Sequence, residues 1–227
     1  MGSVEHNRRM TLRIGILISG RHGRGSNMKA IVDACADGRI NGSAIVVAGN
    51  FAGSPALERA REMGQETIVV ASPRKDEGPG AEARYGARLA SALMPFALDL
   101  VCLAGYVRKV PAQLIAQYPG RIMNIHNALI PAFCGQGMYG MHVHQAAVDY
   151  GVKVSGCTVH FVDEGYDTGP IIVQSTVPVL DTDSAEDLSA RVLAAEHGTY
   201  WRAVSLFAED RLRIEGRKVV ILPDEGR

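Results

Sequence analysis

Cysteine is scarce in this chain: four residues in 227 (Cys35, Cys102, Cys134 and Cys157), with no Cys-x-x-Cys pair and no regular spacing. That excludes a disulfide-stapled scaffold. Cys102, inside an apolar run, reads as a small buried hydrophobe. Net charge is absent too, because 24 Lys and Arg stand against 24 Asp and Glu. A protein that neutralises many phosphates would carry a basic excess, so nucleic acid is excluded as a partner. No apolar run reaches the roughly 18 residues of a membrane span, and Met1 to Arg13 contains no apolar core of a secretory signal. What is present is an ordinary apolar share of 47%, enough for a core without staples and incompatible with a disordered chain. The expectation is a compact cytoplasmic protein that acts on small molecules, as a monomer or homodimer. Residues 1–10 are expected to be a disordered leader or expression remnant ahead of one domain over residues 11–227.

At roughly 150 residues per domain, the length allows one large domain or two small ones, and no repeat or linker divides the chain. Near-continuous apolar strands are expected over 12–19, 43–48, 66–71 and 99–104. They alternate with helical spacing over 26–37, 55–63 and 81–94. Strands apolar on both faces and alternating with helices imply a parallel, helix-covered sheet. The second half reads as strand 121–125, helix 143–150, strands 155–162 and 171–179, helix 184–208, and a hairpin over 211–222 turning at Glu215-Gly216. Period-two alternation there predicts antiparallel pairs. The fold class is therefore α/β: a single domain with a mostly parallel twisted sheet flanked by helices and a C-terminal hairpin.

Between the first strand and first helix runs Ser19-Gly20-Arg21-His22-Gly23-Arg24-Gly25-Ser26-Asn27. Glycines there let backbone amides approach an anion at a helix N-terminus; the plainer reading is a tight turn capped by Ser26 or Asn27. A Walker A loop would need Gly-Lys-Ser/Thr. A dinucleotide site would want an acid after the second strand, where Asn50 stands. A phosphate without a nucleotide fits better.

Asn124 and His126 lie two apart on a predicted strand and so project to one face. An amide donor beside an imidazole suits a carbonyl oxygen that gains negative charge while a proton moves nearby. Further on, Asp163-Glu-Gly-Tyr-Asp167-Thr-Gly-Pro170 puts acids and glycines in a loop after a strand. Read singly, Asn124 and His126 are a strand-end hydrogen-bond pair and Asp167 is a turn former. His142-x-His144 with Cys134 has no evident partner to close a metal site, and His160, alternating with apolar neighbours, reads as structural. Met138 and Tyr139 sit among Gly135, Gly137 and Gly140, in either a cover over a site or a surface loop.

Taken together and in this order, Gly25-Ser26-Asn27, Leu103-Ala104-Gly105-Tyr106, Asn124-Ile125-His126 and Asp167-Thr168-Gly169-Pro170 resemble the folate-dependent formyltransferases. The resemblance covers about residues 12–210. Its core of Asn-Ile-His, Val-His-Phe-Val-Asp and Asp-x-Gly-Pro is specific to that superfamily; the glycine loop alone is weak. It implies a Rossmann-like formyltransferase fold and transfer of a formyl group from 10-formyltetrahydrofolate to the amine of glycinamide ribonucleotide in purine biosynthesis, without a metal. It also implies catalytic roles for Asn124, His126 and Asp167. Substrate phosphate-binding residues would be Gly25, Ser26, Asn27 and Glu196, and folate-binding residues Val107, Arg108, Val110 and Asp163. Departures are Asn127, where the family usually has Pro, a glycine loop longer by about three residues, and a longer segment after Pro131. Length favours the ribonucleotide over a tRNA substrate or a regulated hydrolase, each of which would bring a further domain. Alternatives are a formyltransferase for an amino-sugar nucleotide and a non-catalytic phospholigand-binding homologue. In a chain of zero net charge, attraction for anionic substrates must be local, from the loop amides and from Arg21, Arg24 and Arg108.

Overall fold

A computed structural model describes residues 11–21, 23–74 and 76–224; the leader expected over residues 1–10 lies outside them. The first half is built as β1 (Leu12–Ile18), α1 (Ser26–Ala36), β2 (Gly42–Gly49), α2 (Pro55–Glu62), β3 (Thr67–Val69), α3 (Ala81–Leu93) and β4 (Leu100–Leu103). Then come α4 (Ala112–Gln117), β5 (Ile122–His126), α5 (Met141–Tyr150), β6 (Val154–Phe161), β7 (Ile171–Pro178), α6 (Ala185–Ala208), β8 (Leu212–Glu215) and β9 (Lys218–Ile221). Among the described residues, nine strands form one sheet in the order β3-β2-β1-β4-β5-β6-β7-β9-β8. Pairing is parallel from β3 to β5, antiparallel at β5–β6 and β6–β7, parallel at β7–β9 and antiparallel in the terminal hairpin. The expected change of character halfway along the chain is therefore present.

Alternation along the central strands sorts side chains to two cores. Ile14, Ile16 and Ile18 of β1 face Met28 and Ile31 of α1 and Val204 of α6. Leu17, with Val101 and Leu103 of β4, faces Tyr85, Leu89 and Leu93 of α3 and Leu114 of α4. The long helix α6 starts at a capping box, where the Ser184 hydroxyl accepts from the Asp187 amide and the Asp187 carboxylate accepts from the Ser184 amide. Among the described residues no helix is long and apolar enough to cross a membrane.

Three local expectations differ. Helix α4 has six residues and one buried side chain, Leu114, too short for a periodic signal. Helix α1 is capped by Gly25 in a left-handed conformation (φ 67°) without a side-chain cap bond, so neither Ser26 nor Asn27 caps it. The hairpin turns one residue later than expected, at Gly216-Arg217, because Glu215 pairs with Lys218.

The sheet is pinned beneath the site by Tyr200 of α6. Its hydroxyl, fully buried, lies 3.0 Å from both the Leu103 carbonyl of β4 and the Met123 carbonyl of β5. Burial pushes its ionisation far above the usual phenol range. The hydroxyl has one proton to share between the two carbonyls, so Tyr200→Phe removes one buried hydrogen bond and is expected to cost about 1 kcal/mol. The readout is a lower urea midpoint at unchanged slope.

Candidate active site

Strand order reverses at β1, which has β2 on one side and β4 on the other. In open α/β sheets the crevice at such a reversal, beyond the carboxyl ends of the strands, is where ligands bind. Here that crevice opens into a cavity of about 780 Å³. Ser19, just past β1, ties its two banks: its hydroxyl donates to the Gly105 carbonyl (3.3 Å) and accepts from the Val107 amide (2.8 Å). Asn50 at the end of β2 accepts from the Gly20 amide (2.9 Å), so it holds the glycine loop.

Asn124 and His126 project from β5 into this cavity, and Asp167 reaches it from the loop after β6. The register of β5 on β6 sets Asn124 opposite His160, and the Asn124 amide nitrogen lies 3.1 Å from His160 Nε2. His160 Nδ1 donates to the Phe161 carbonyl (2.8 Å), which leaves Nε2 as the acceptor for one Asn124 proton. The other faces Asp167 Oδ1 at 3.5 Å. His126 is buried, and its Nε2 donates to the Phe133 carbonyl (2.8 Å), leaving Nδ1 toward Asp167 Oδ2 at 3.6 Å. His160 Nε2 is 3.6 Å from Asp167 Oδ1. Asp167 thus stands between two imidazoles, just beyond direct hydrogen-bond distance of either.

Burial opposes the charge on Asp167, yet His160, His126 and the Gly135 amide (3.0 Å) together hold its carboxyl below the usual range. Burial pushes His126 down, opposed by Asp167 and the Phe133 carbonyl. Asp167 has a positive φ of 55°, which Asp and Asn tolerate best after Gly. Gly169 in the same motif has no alternative, since a Cβ there would lie 1.8 Å from the Phe161 carbonyl oxygen.

Of the residues expected around the phosphate, Asn27 and Glu196 line the cavity, whereas Gly25 and Ser26 lie outside its lining, at the start of α1. The Asn27 amide donates to Glu196 Oε2 (2.7 Å), and burial pushes Glu196 up to about 7 against that bond. Below the ordinary Glu value both folded and unfolded chains carry the proton and burial costs nothing. As pH rises toward 7 the unfolded chain ionises first, so stability falls until folded Glu196 ionises too. Glu196→Gln keeps an acceptor for Asn27 and removes that slope. It is expected to be more stable than wild type by roughly 2 kcal/mol at pH 8 and equal to it at pH 4, as read by urea unfolding across that range.

Val107, Arg108, Val110 and Asp163, the expected folate residues, all line the opposite bank. Arg108 pairs with Glu82, and Asp163 Oδ1 accepts from the Gly165 amide and the Thr168 hydroxyl. The loop over residues 135–140 forms part of the wall, so it belongs to the site rather than to a remote surface. Asn127 holds its far end, donating to the Gly140 carbonyl (3.0 Å) and to His144 Nε2 (2.9 Å). Burial, aided by His126, pushes His144 down to about 4. Among the described residues no three His, Cys, Asp or Glu side chains gather as metal ligands would. Cavity-lining residues to which sequence reasoning gave no part in the site are Lys109, Tyr166 and above all His160.

A family model described as formyl transferase matches residues 12–204. The chain belongs to that family. It is 37% identical over 203 residues to the phosphoribosylglycinamide formyltransferase of Escherichia coli (strain K12), covering 89% of this chain and 90% of that one. It is also 37% identical over 212 residues to the chloroplastic phosphoribosylglycinamide formyltransferase of Arabidopsis thaliana, covering 93% of this chain and 70% of the relative. The crystal structure of glycinamide ribonucleotide transformylase 1 from Symbiobacterium toebii is similar with a TM-score of 0.84 and 47% identity, covering 94% of this chain and 95% of that one. This formyl transferase thus shares its α/β fold with solved members of the family.

Proposed function

We propose that the chain transfers the formyl group of 10-formyltetrahydrofolate to the amine of glycinamide ribonucleotide, a step of de novo purine biosynthesis, in the cytoplasm, as a monomer or homodimer. The observation that carries this reading is the meeting of Asn124, His126 and Asp167 in one cavity, in a chain whose relatives bear that name. 10-Formyltetrahydrofolate is the cosubstrate, lying along Val107, Arg108, Val110 and Asp163. The ribonucleotide lies toward the glycine loop, its phosphate at the α1 N-terminus, where Asn27 lines the cavity and the amides of Gly25 and Ser26 lie behind its wall. A carboxylate repels phosphate, so Glu196 takes the hydrogen-bond donors of the same substrate.

In the reaction the amine nitrogen bonds to the formyl carbon, the bond from that carbon to the folate nitrogen breaks, and one amine proton ends on the folate nitrogen. The negative charge that develops on the formyl oxygen needs preorganised donors. Asn124 supplies the amide proton not held by His160. His126, whose Nε2 proton is held by Phe133 and which burial holds toward the neutral form, turns Nδ1 to Asp167 and becomes a second donor to the same space as it takes up the amine proton. Asp167 accepts the amine proton and passes it on.

The test is formyl transfer from 10-formyltetrahydrofolate to glycinamide ribonucleotide beside an amino-sugar nucleotide. Turnover with the first and little with the second is expected. The reverse pattern overturns the assignment of the acceptor, and binding of both without turnover overturns the assignment as an enzyme.

A further inference from the structure

A ribonucleotide phosphate brings two negative charges into a cavity that already holds Asp163, Asp167 and Glu196, in a chain with no net positive charge. Helix N-terminal amides supply only partial charge, so full compensation must come from a side chain in the wall. The cations in the described wall are Arg21, Arg108 and Lys109. Arg108 is committed to Glu82, and its guanidinium lies 5.6 Å from the Tyr85 ring centre. Lys109 lies over Tyr166 on the folate bank. Arg24 is not among the cavity-lining residues, and its backbone carbonyl accepts from Arg59. Arg21 remains. It follows Gly20, whose amide is fixed to Asn50. Its guanidinium rests 4.4 Å from the Phe51 ring centre and, among the described residues, forms no ion pair with a carboxylate.

We propose that Arg21 is the side chain that neutralises the substrate phosphate and so sets the preference for a phosphorylated over an unphosphorylated acceptor; the proposal rests on the reading that the glycine-loop end holds that phosphate. A guanidinium over the half-buried Phe51 ring gains a modest cation–π attraction, whereas its planar fork matches two phosphate oxygens in stronger, charge-assisted bonds. Phosphate therefore outcompetes Phe51 for Arg21. The longer glycine loop acquires a purpose on this account: it carries a full positive charge to a site where the chain as a whole has none.

Calorimetric titration of wild type and Arg21→Gln with glycinamide ribonucleotide, its dephosphorylated riboside and folate tests this. Arg21 is exposed, so the variant is expected to fold as wild type, checked by an unchanged Tm. Wild type is expected to prefer the ribonucleotide. Arg21→Gln should weaken that ligand about 10- to 50-fold, leave riboside and folate within about twofold, and be partly rescued by Arg21→Lys, which keeps the charge without the fork. Equal losses on ribonucleotide and riboside, or a loss confined to folate, overturn the proposal. If wild type discriminates and Arg21→Gln discriminates as well, Arg21 alone is excluded. If wild type does not discriminate, the reading of the glycine loop as a phosphate subsite falls with it.

Discussion

Replacing Asp167 by Asn is expected to lower kcat by about 10³ to 10⁴, the upper part of the range for a positioned acid–base group, with stability and both KM values nearly unchanged. The separation of effects follows from the local geometry. Asn tolerates the positive φ at this position as well as Asp does, and its side-chain oxygen still accepts from the Gly135 amide. What it loses is the capacity to take a proton between His126 and His160, each 3.6 Å from one of its carboxylate oxygens. Steady-state kinetics with both substrates, alongside urea unfolding, separates these effects. A rate within tenfold of wild type removes Asp167 from the proton path.

The second large effect is expected at Asn124. Asn124→Ala removes a preorganised donor to the formyl oxygen, and loss of one such donor costs about 10² to 10³ in kcat. Ground-state binding is spared, because the contact strengthens only as charge develops. His160 provides the control. It touches Asn124 and not the reacting atoms in this reading, and its acceptor nitrogen fixes which way the amide points. His160→Ala is therefore expected to cost about tenfold, a fraction of the donor itself, whereas an acceptor-retaining His160→Gln recovers most of that loss. If Asn124→Ala and His160→Ala lower only the folded fraction, with kcat per folded molecule unchanged, the oxyanion role is wrong.

Much of the fold was legible because its central strands are apolar on both faces and separated by helices with clear periodicity. The runs 12–18 and 100–103 admit few other readings. The chemistry of Asn124, His126 and Asp167 was legible from residue types and order. Their separations were not, because the β5–β6 register that brings His160 opposite Asn124 is a tertiary fact. For the same reason His160 read as a structural histidine: a histidine alternating with apolar residues looks alike whether its ring nitrogen meets a carbonyl or a site amide. The loop over 135–140 has no periodic signal, and its place in the wall depends on Phe133 and Gly135 reaching His126 and Asp167. Asn127, visible as a departure from its family's pattern, turns out to anchor that loop through Gly140 and His144.

Glycinamide ribonucleotide, 10-formyltetrahydrofolate labelled with ¹³C in the formyl group, and the purified protein in one NMR tube provide the most direct test. The account predicts that the label moves to the glycinamide nitrogen in step with loss of the labelled folate, and that Asp167→Asn slows this transfer without diverting it. Label that appears as free formate, or that stays on the folate while both ligands are bound, would contradict it.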